Sequence, residues 1–408
     1  MSAVHHPSLP GSTHPAHRLP GAVRILFAML ARLTWGSLTV SGPNGFRAEF
    51  GGQEGVSAHI EFRDWEICSE IMTGGDNAFA EGYMQQRWES PDLVALLTVA
   101  AYNMQALEKT FYGSWLRQLV FRIVHALRSN TRKGARRNIE AHYDLGNDFY
   151  QLWLDPTMTY SSALFGGNEH HSLADAQRDK YGRILRELAL QPGQHILEIG
   201  CGWGGFAQEA LRERSVRLTG ISLSPAQTEY ATARLHRAGV ADRAEFVLRD
   251  YRDERGTYDA VASIEMFEAV GERYWPAYFE MLHRVLRAGG RAVIQAITIA
   301  ENRFERYRTS SDFIQQYIFP GGMLATKTRI VDEAQRAGLQ LESRHDFGGD
   351  YARTLTLWLS RFDQKESLVR GLGFDTRFIR MWRFYLAYCA AGFIAGTTDV
   401  GQYTFARA

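Results

Sequence analysis

The stretch Ile196 to Ala207, ILEIGCGWGGFA, sets one acid, Glu198, inside an apolar run and follows it with Gly200, Gly202, Gly204 and Gly205. Such a mostly apolar run suits a strand buried on both faces, and the glycines let the backbone turn sharply into a helix beginning near Trp203. Free N–H groups at that helix start would face a ligand lying close to the turn. The chemistry on offer is recognition of a nucleotide-like cofactor at the carboxyl end of a strand.

A dinucleotide fingerprint would space its glycines GxGxxG and place an acid about twenty residues further on. Here the spacing is GCGWGG, the second strand ends in Ile221-Ser222-Leu223-Ser224 without a carboxylate, and no Walker lysine follows. An acid within the first strand followed by GxGxG suits a turn for S-adenosylmethionine, cradling the amino-acid end of that cofactor. Ser222 and Gln227 can hydrogen-bond ribose or adenine edges, and Asp250–Tyr251 falls where adenine would lie. Taken singly, each is equally an ordinary polar residue at a strand end.

The elements that position these residues alternate from Gln194 onward. Strands fit His195–Ile199, Val216–Ile221, Ala244–Leu248, Ala260–Ile264 and Ala292–Ile297; helices fit Phe206–Arg214, Pro225–Ala238 and Pro276–Leu286. Repeated strand–helix units predict an α/β, doubly wound, mostly parallel sheet, with ligands at the carboxyl ends of its strands. Those ends fall at Gly200, Ser222, Asp250 and Glu265. Upstream, Leu38–Phe50 and Val56–Phe62 alternate like strands around a Gly-rich turn, and helices are expected around Ala78–Met84 and Asp92–Leu107. Four regions follow: a disordered tail (1–20), a small α+β accessory domain (21–114), a basic amphipathic linker (115–137) and a catalytic domain (138–408).

Composition bounds the rest. At 408 residues and a net charge of +1, the chain has no general attraction to polyanions, so no nucleic-acid partner is expected and any membrane contact must be local. Such a patch exists between Trp115 and Asn138, where seven basic residues from Arg117 to Arg137 occur without an acid and apolar residues recur at helical spacing. A solvated linker helix would read the same way. Ala22–Leu33 is too short and too charged to span a bilayer. Three scattered cysteines fit a reducing compartment, and the tail histidines His5, His6, His14 and His17 are a solvated segment rather than a metal site.

Eight ordered blocks then resemble one family. They are AHYDLGNDFY (141–150), LDPTMTYSSALF (154–165), the glycine turn, GISLSPAQ (220–227), LRDYRD (248–253), SIEMFEAVG (263–271), QQYIFPGG (315–322) and HDFGGDY (345–351). Together they resemble the cyclopropane-fatty-acyl-phospholipid synthases and their siblings, the cyclopropane mycolic acid synthases and fatty-acid methyltransferases. FAEGYMQQRWESPDL resembles the family's accessory domain more loosely. The resemblance implies a Rossmann-like class I methyltransferase with a seven-stranded sheet, and S-adenosylmethionine as methyl donor. It implies unsaturated phospholipid acyl chains as substrate, an anionic membrane surface on the cytoplasmic side as a peripheral partner, and allows a homodimer. It further implies that loss of a proton from the alkylated chain closes a cyclopropane ring, with bound bicarbonate as the base.

Carried over by the resemblance, the bicarbonate binders are Ser162, Glu268, Gln295, Ile297 and Tyr351. The cofactor contacts are Tyr160, Ser161, Glu198 and the turn Gly200, Cys201, Gly202, Trp203, Gly204 and Gly205, with Ser222, Leu223, Gln227, Tyr251 and Arg252. Phe165, Trp203, Phe267, Tyr317 and Tyr351 could stabilise a cation through their ring faces, although core packing explains most of them equally well. Ser162 stands where the family has cysteine, Gln295 where it has histidine, Glu265 where glycine is frequent and Ala269 where histidine is. These departures leave open a methylene- or methyl-branched product in place of the ring. A methyltransferase for a small polar metabolite is disfavoured by the aromatic-rich stretch Phe304–Phe319. A lipid-binding protein without activity is disfavoured by the intact turn together with Glu268 and Tyr351.

Overall fold

A computed structural model describes residues 19–52, 54–104 and 145–408. Most of the tail and the whole basic linker therefore lie outside the described residues. Two compact units result: the N-terminal residues together with Gly373–Ala395, and the remainder through Leu372 together with Gly396–Ala408.

In the first unit, strands β1 (Ser37–Gly42), β2 (Phe46–Gly51), β3 (Ser57–Phe62) and β4 (Trp88–Glu89) form a sheet in the order β2-β1-β3-β4. Leu38–Phe50, read as one strand, is a hairpin. Pro43 fixes the turn, and Asn44 and Gly45 take left-handed φ of 61° and 72°, which reverse the chain. Alternating burial along β2 turns Phe46 and Phe50 inward against Phe27 of the helix Gly21–Leu30. Helices Glu66–Met84, Leu93–Tyr102 and Thr376–Ile394 pack together in this unit.

The last of these corrects the expected domain division, which had placed all of 138–408 in the catalytic domain. Arg380 explains why the helix belongs here. Its buried guanidinium donates to Tyr83 O (2.5 Å), Trp88 O (3.3 Å) and Glu89 Oε2 (2.9 Å), and lies 3.7 Å over the Tyr83 ring.

The second unit is built on β5 (His195–Ile199), β6 (Arg217–Ser222), β7 (Ala244–Leu248), β8 (Tyr258–Ile264), β9 (Leu286–Ile299), β10 (Leu339–Asp346) and β11 (Thr398–Arg407). Their order is β10-β11-β9-β8-β5-β6-β7. The five strands β5–β9 pair in parallel, and β11 and β10 add antiparallel. One face packs the helices Trp275–Val285 and Lys327–Arg336; the other packs Leu173–Leu188 and Gly205–Glu213. The doubly wound, seven-stranded expectation is thus met. The strand order reverses between β5 and β8, so their carboxyl ends flank the switch-point crevice where such sheets take ligands.

Replacing Arg380 with Ala removes a charged donor from three acceptors and strips packing from Tyr83. We expect a loss of roughly 2–3 kcal/mol in chemical unfolding of the full chain. An unchanged unfolding midpoint would mean that this helix does not complete the N-terminal unit.

Candidate active site

The glycine turn forms as the sequence predicts, but its glycines do different work. Gly200, Gly202 and Gly204 take φ of 79°, 50° and 77°, a region that a residue with a Cβ enters only with strain. The N–H groups of Gly200 and Cys201 both donate to Ile221 O of β6, which pins the turn to the neighbouring strand. A Cβ at Gly204 would stand 2.9 Å from the Ala231 Cβ, and one at Gly205 would stand 2.9 Å from Thr157 O and the Tyr181 hydroxyl. These two glycines, expected at the cofactor, serve close packing of the helix that follows. A Cβ at Gly202 would meet nothing within 4 Å, so that side of the turn is open.

Glu198 is buried at the end of β5, and its Oε2 has no hydrogen-bond partner among the described residues. Burial pushes its pKa well up, opposed by the Lys180 ammonium. A buried acceptor left bare calls for a ligand that donates to it. Lys180 is itself buried and donates to Ser161 Oγ at 2.7 Å, while Gln177 donates to Ser161 O at 2.9 Å. Ser222 and Gln227, expected on ribose or adenine, meet each other at 3.0 Å. Arg252 grips Asp250 through two bonds of 2.8 and 2.5 Å, and Tyr251, whose hydroxyl burial pushes up to about 12, meets Tyr278 edge-on. Leu223 is half-buried beside them. These residues sit at the carboxyl ends of β6 and β7, where the sequence places them. The bare carboxyl group and the open side of the turn fit S-adenosylmethionine, which Glu198, the Gly200–Gly202 backbone and the Ser222–Gln227 pair would hold.

A second cluster lies at the end of β8. The residues expected to hold bicarbonate separate into two groups. Ser162 N donates to Glu265 Oε1 (2.8 Å), as does Gln295 Nε2 (2.7 Å), and the Tyr351 hydroxyl donates to Glu265 Oε2 (2.6 Å). Ile297 N instead donates to Glu268 Oε1 at 2.5 Å, leaving Glu268 Oε2 without a partner among the described residues. The donors expected to surround bicarbonate thus surround a carboxylate of the chain itself. Burial raises the pKa of Glu265, and Lys180, Tyr351, Ser162 and Gln295 pull it back. Burial, with the nearby Glu265 charge, pushes Glu268 up to about 8. Gln295 is oriented from behind: Gln402 Nε2 donates to its Oε1 (3.0 Å), and Arg183 Nη1 donates to Gln402 Oε1 (2.8 Å).

An aromatic wall joins the two clusters. Trp203, whose Nε1 donates to Asn147 Oδ1 at 2.7 Å, meets Tyr150 at a ring distance of 4.9 Å. Tyr150 meets Tyr160 at 5.5 Å, Tyr160 meets Trp358 at 5.5 Å, and Trp358 meets Tyr351 at 6.2 Å. Of the five rings considered for cation stabilisation, Trp203 and Tyr351 belong to this wall. Phe267 packs in the core against Trp275 and Tyr278, Phe165 lies under Arg353, and Tyr317 packs on Phe313. Sequence reasoning missed Lys180, Trp358 and Gln402. It noted Glu265 as an extra acid without finding its partners.

A seven-stranded sheet of this order, with a glycine turn at its switch point, defines the class I methyltransferase fold. A solved coclaurine N-methyltransferase shares it at 15% identity (TM-score 0.62, covering 81% of this chain and 99% of that one). The family model for mycolic acid cyclopropane synthetase matches residues 130–403, and the chain belongs to that family. It is 42% identical to tuberculostearic acid methyltransferase UfaA1 of Mycobacterium tuberculosis over 348 residues, 84% of this chain and 81% of the relative. It is 30% identical to the cyclopropane-fatty-acyl-phospholipid synthase of Escherichia coli over 354 residues, 86% and 88% of the two chains. The solved cyclopropane synthase MmaA2 of M. tuberculosis superposes with a TM-score of 0.63 at 30% identity, covering 67% of this chain and 98% of that one.

The raised pKa of Glu268 ties stability to pH. Between its ordinary 4.5 and about 8 the folded chain keeps a proton that the unfolded chain has released, so stability falls as pH rises through this window and levels off above it. Glu268→Gln lacks that loss and still accepts from Ile297. Its stability relative to the parent should therefore grow by a few kcal/mol from pH 5 to 9. A constant offset in thermal melts across that range would show that Glu268 ionises normally.

Proposed function

We infer that the protein uses S-adenosylmethionine to methylate the double bond of an unsaturated fatty acyl chain in a membrane phospholipid. The observation that carries this reading is the continuous aromatic wall running from the glycine turn at Trp203 to Tyr351 at the Glu265 cluster. A polar substrate would gain little from such a wall, whereas an alkyl chain is recognised by it. When bound, S-adenosylmethionine supplies an electrophilic methyl group. An alkene is a weak nucleophile, so the chain's own residues contribute chiefly by orientation, exclusion of water and stabilisation of positive charge. Tyr160 and Trp358 offer ring faces for that charge, and Glu198 and the turn backbone orient the donor.

The product we propose is a methylene-branched acyl chain. Greater identity to the tuberculostearic acid methyltransferase than to the cyclopropane-fatty-acyl-phospholipid synthase supports this product, as do Ser162, Gln295 and Glu265 at positions where the sequence departs from the family. Ring closure to a cyclopropane is the second reading, supported by the matching family model and the likeness to MmaA2. Contact with an anionic bilayer on its cytoplasmic face, through the basic segment 115–137, belongs to the same proposal.

Unsaturated phospholipid vesicles should release S-adenosylhomocysteine from the donor, and saturated vesicles should not. NMR of the extracted lipid should show vinylidene protons. High-field cyclopropane protons would transfer the assignment to the second reading, and absence of turnover on every unsaturated vesicle would end both. Neutralising Arg132, Lys133, Arg136 and Arg137 together should weaken sedimentation with anionic vesicles at low salt; unchanged binding would remove the membrane role of that segment.

A further inference from the structure

We propose that Glu265 is the catalytic base, its carboxylate accepting the proton that the alkylated acyl chain must lose. The proposal rests on the acyl-chain reading above. Three donors from distant segments converge on this side chain: the Ser162 N–H, the Gln295 amide and the Tyr351 hydroxyl. Oε1 receives two of them and Oε2 one, which leaves a lone pair on Oε2 for a proton. The donor set therefore holds a planar carboxylate while keeping one basic position available.

The backbone supplies a separate argument. Glu265 has φ of 50°, in the left-handed region where glycine is at ease and a residue with a Cβ is strained. Its neighbours make that conformation necessary: Glu265 N donates to Gln295 O at 2.8 Å, just before the chain turns into Phe267–Ala269. A glutamate retained at a position suited to glycine, with both carboxylate oxygens hydrogen-bonded, is held there for its side chain.

The step balances without a further reactant. Transfer of the methyl to the alkene forms a C–C bond and leaves a cation on the chain. A C–H bond of the new methyl then breaks, and the proton forms an O–H bond at Glu265 Oε2. The electron pair left behind closes a ring. Alternatively, after a 1,2-hydride shift brings the charge to the methyl-bearing carbon, the pair forms the double bond of a methylene branch. Cation and carboxylate become a neutral lipid and a neutral acid, which passes its proton to water when the product leaves.

The test compares the full-length parent, Glu265→Gln and Glu265→Gly on unsaturated phospholipid vesicles, with and without added bicarbonate, alongside thermal melts. The parent should turn over equally well with bicarbonate removed. Glu265→Gln should lose about a hundredfold or more in turnover. Glu265→Gly relieves the strain at a left-handed position but leaves three donors without their acceptor, so its melt serves to confirm that it folds. It should lose turnover and recover part of it with bicarbonate, which fits between the same three donors. Near-parental turnover by Glu265→Gln, or a parent that needs bicarbonate, would overturn the assignment and leave the acyl-chain reading standing. Silence of the parent itself on every unsaturated vesicle would remove both.

Discussion

The buried ammonium of Lys180 sets the terms on which this site holds its acids. Burial drives Lys180 toward neutrality, and the charges of Glu265, Asp155 and Glu198 draw it back. The same burial works against ionisation of Glu198 and Glu265, and the same ammonium supports it. One cation cannot sustain every carboxylate in a medium of low dielectric, so the acids divide their roles. Glu265, with three hydrogen bonds and the ammonium nearby, is the one favoured to ionise. Glu268, with a single backbone donor and Glu265 as its neighbour, keeps its proton near neutral pH. Two carboxylates three residues apart in sequence thus differ in their donors, three for Glu265 and one backbone N–H for Glu268.

Strand register builds the donor network. Ile264 at the end of β8 pairs with Gln295 in β9, and Gln295 pairs with Gln402 in β11. The residue after Ile264 is therefore beside the Gln295 amide, and the cross-strand neighbour of Gln295 fixes which end of that amide points to Glu265. A slip of one residue between β9 and β11 would turn Gln402 to the other face of the sheet and release Gln295. The geometry of the Glu265 cluster depends on the antiparallel edge of the sheet as much as on the parallel strands.

Much of this was legible in the sequence, for physical reasons that also mark where reading stopped. The parallel strands β5 to β8 announce themselves as largely apolar runs closed by Gly, Ser, Asp or Glu, and Pro225–Ala238 carries its start and stop signals, Ser224 and Gly239, in plain view. By contrast, β11 buries Gln402 and Thr404, whose hydrogen bonds to Gln295, Arg183 and Glu187 replace the apolar signal of a core strand. The edge strand β10 is half exposed and carries charged residues. Lys180 sits in the polar run DAQRDKYGR, which resembles a solvated helix face until the sheet covers it. Glu265 could be noticed as an acid but not understood, because Ser162, Gln295 and Tyr351 reach it from segments 30 to 103 residues away. Local pattern reveals elements and turns; a site made by long-range convergence needs the fold.

A base that is part of the chain changes the problem the site must solve. A diffusible anion would have to be bound before each turnover and kept from leaving with the lipid, whereas a tethered carboxylate carries no such binding equilibrium. It brings two other demands. The backbone must accept a left-handed residue, at a cost of about 1–2 kcal/mol, and the carboxylate must not attack the cation and end as an ester. The same three hydrogen bonds bear on both, stabilising the strained residue and holding the carboxylate in one orientation. Their exclusion from water strengthens each of them. The aromatic wall through Tyr160 and Trp358 ends at Tyr351, which is itself one of the donors. The surface that would steady positive charge therefore leads directly to the group that would discharge it.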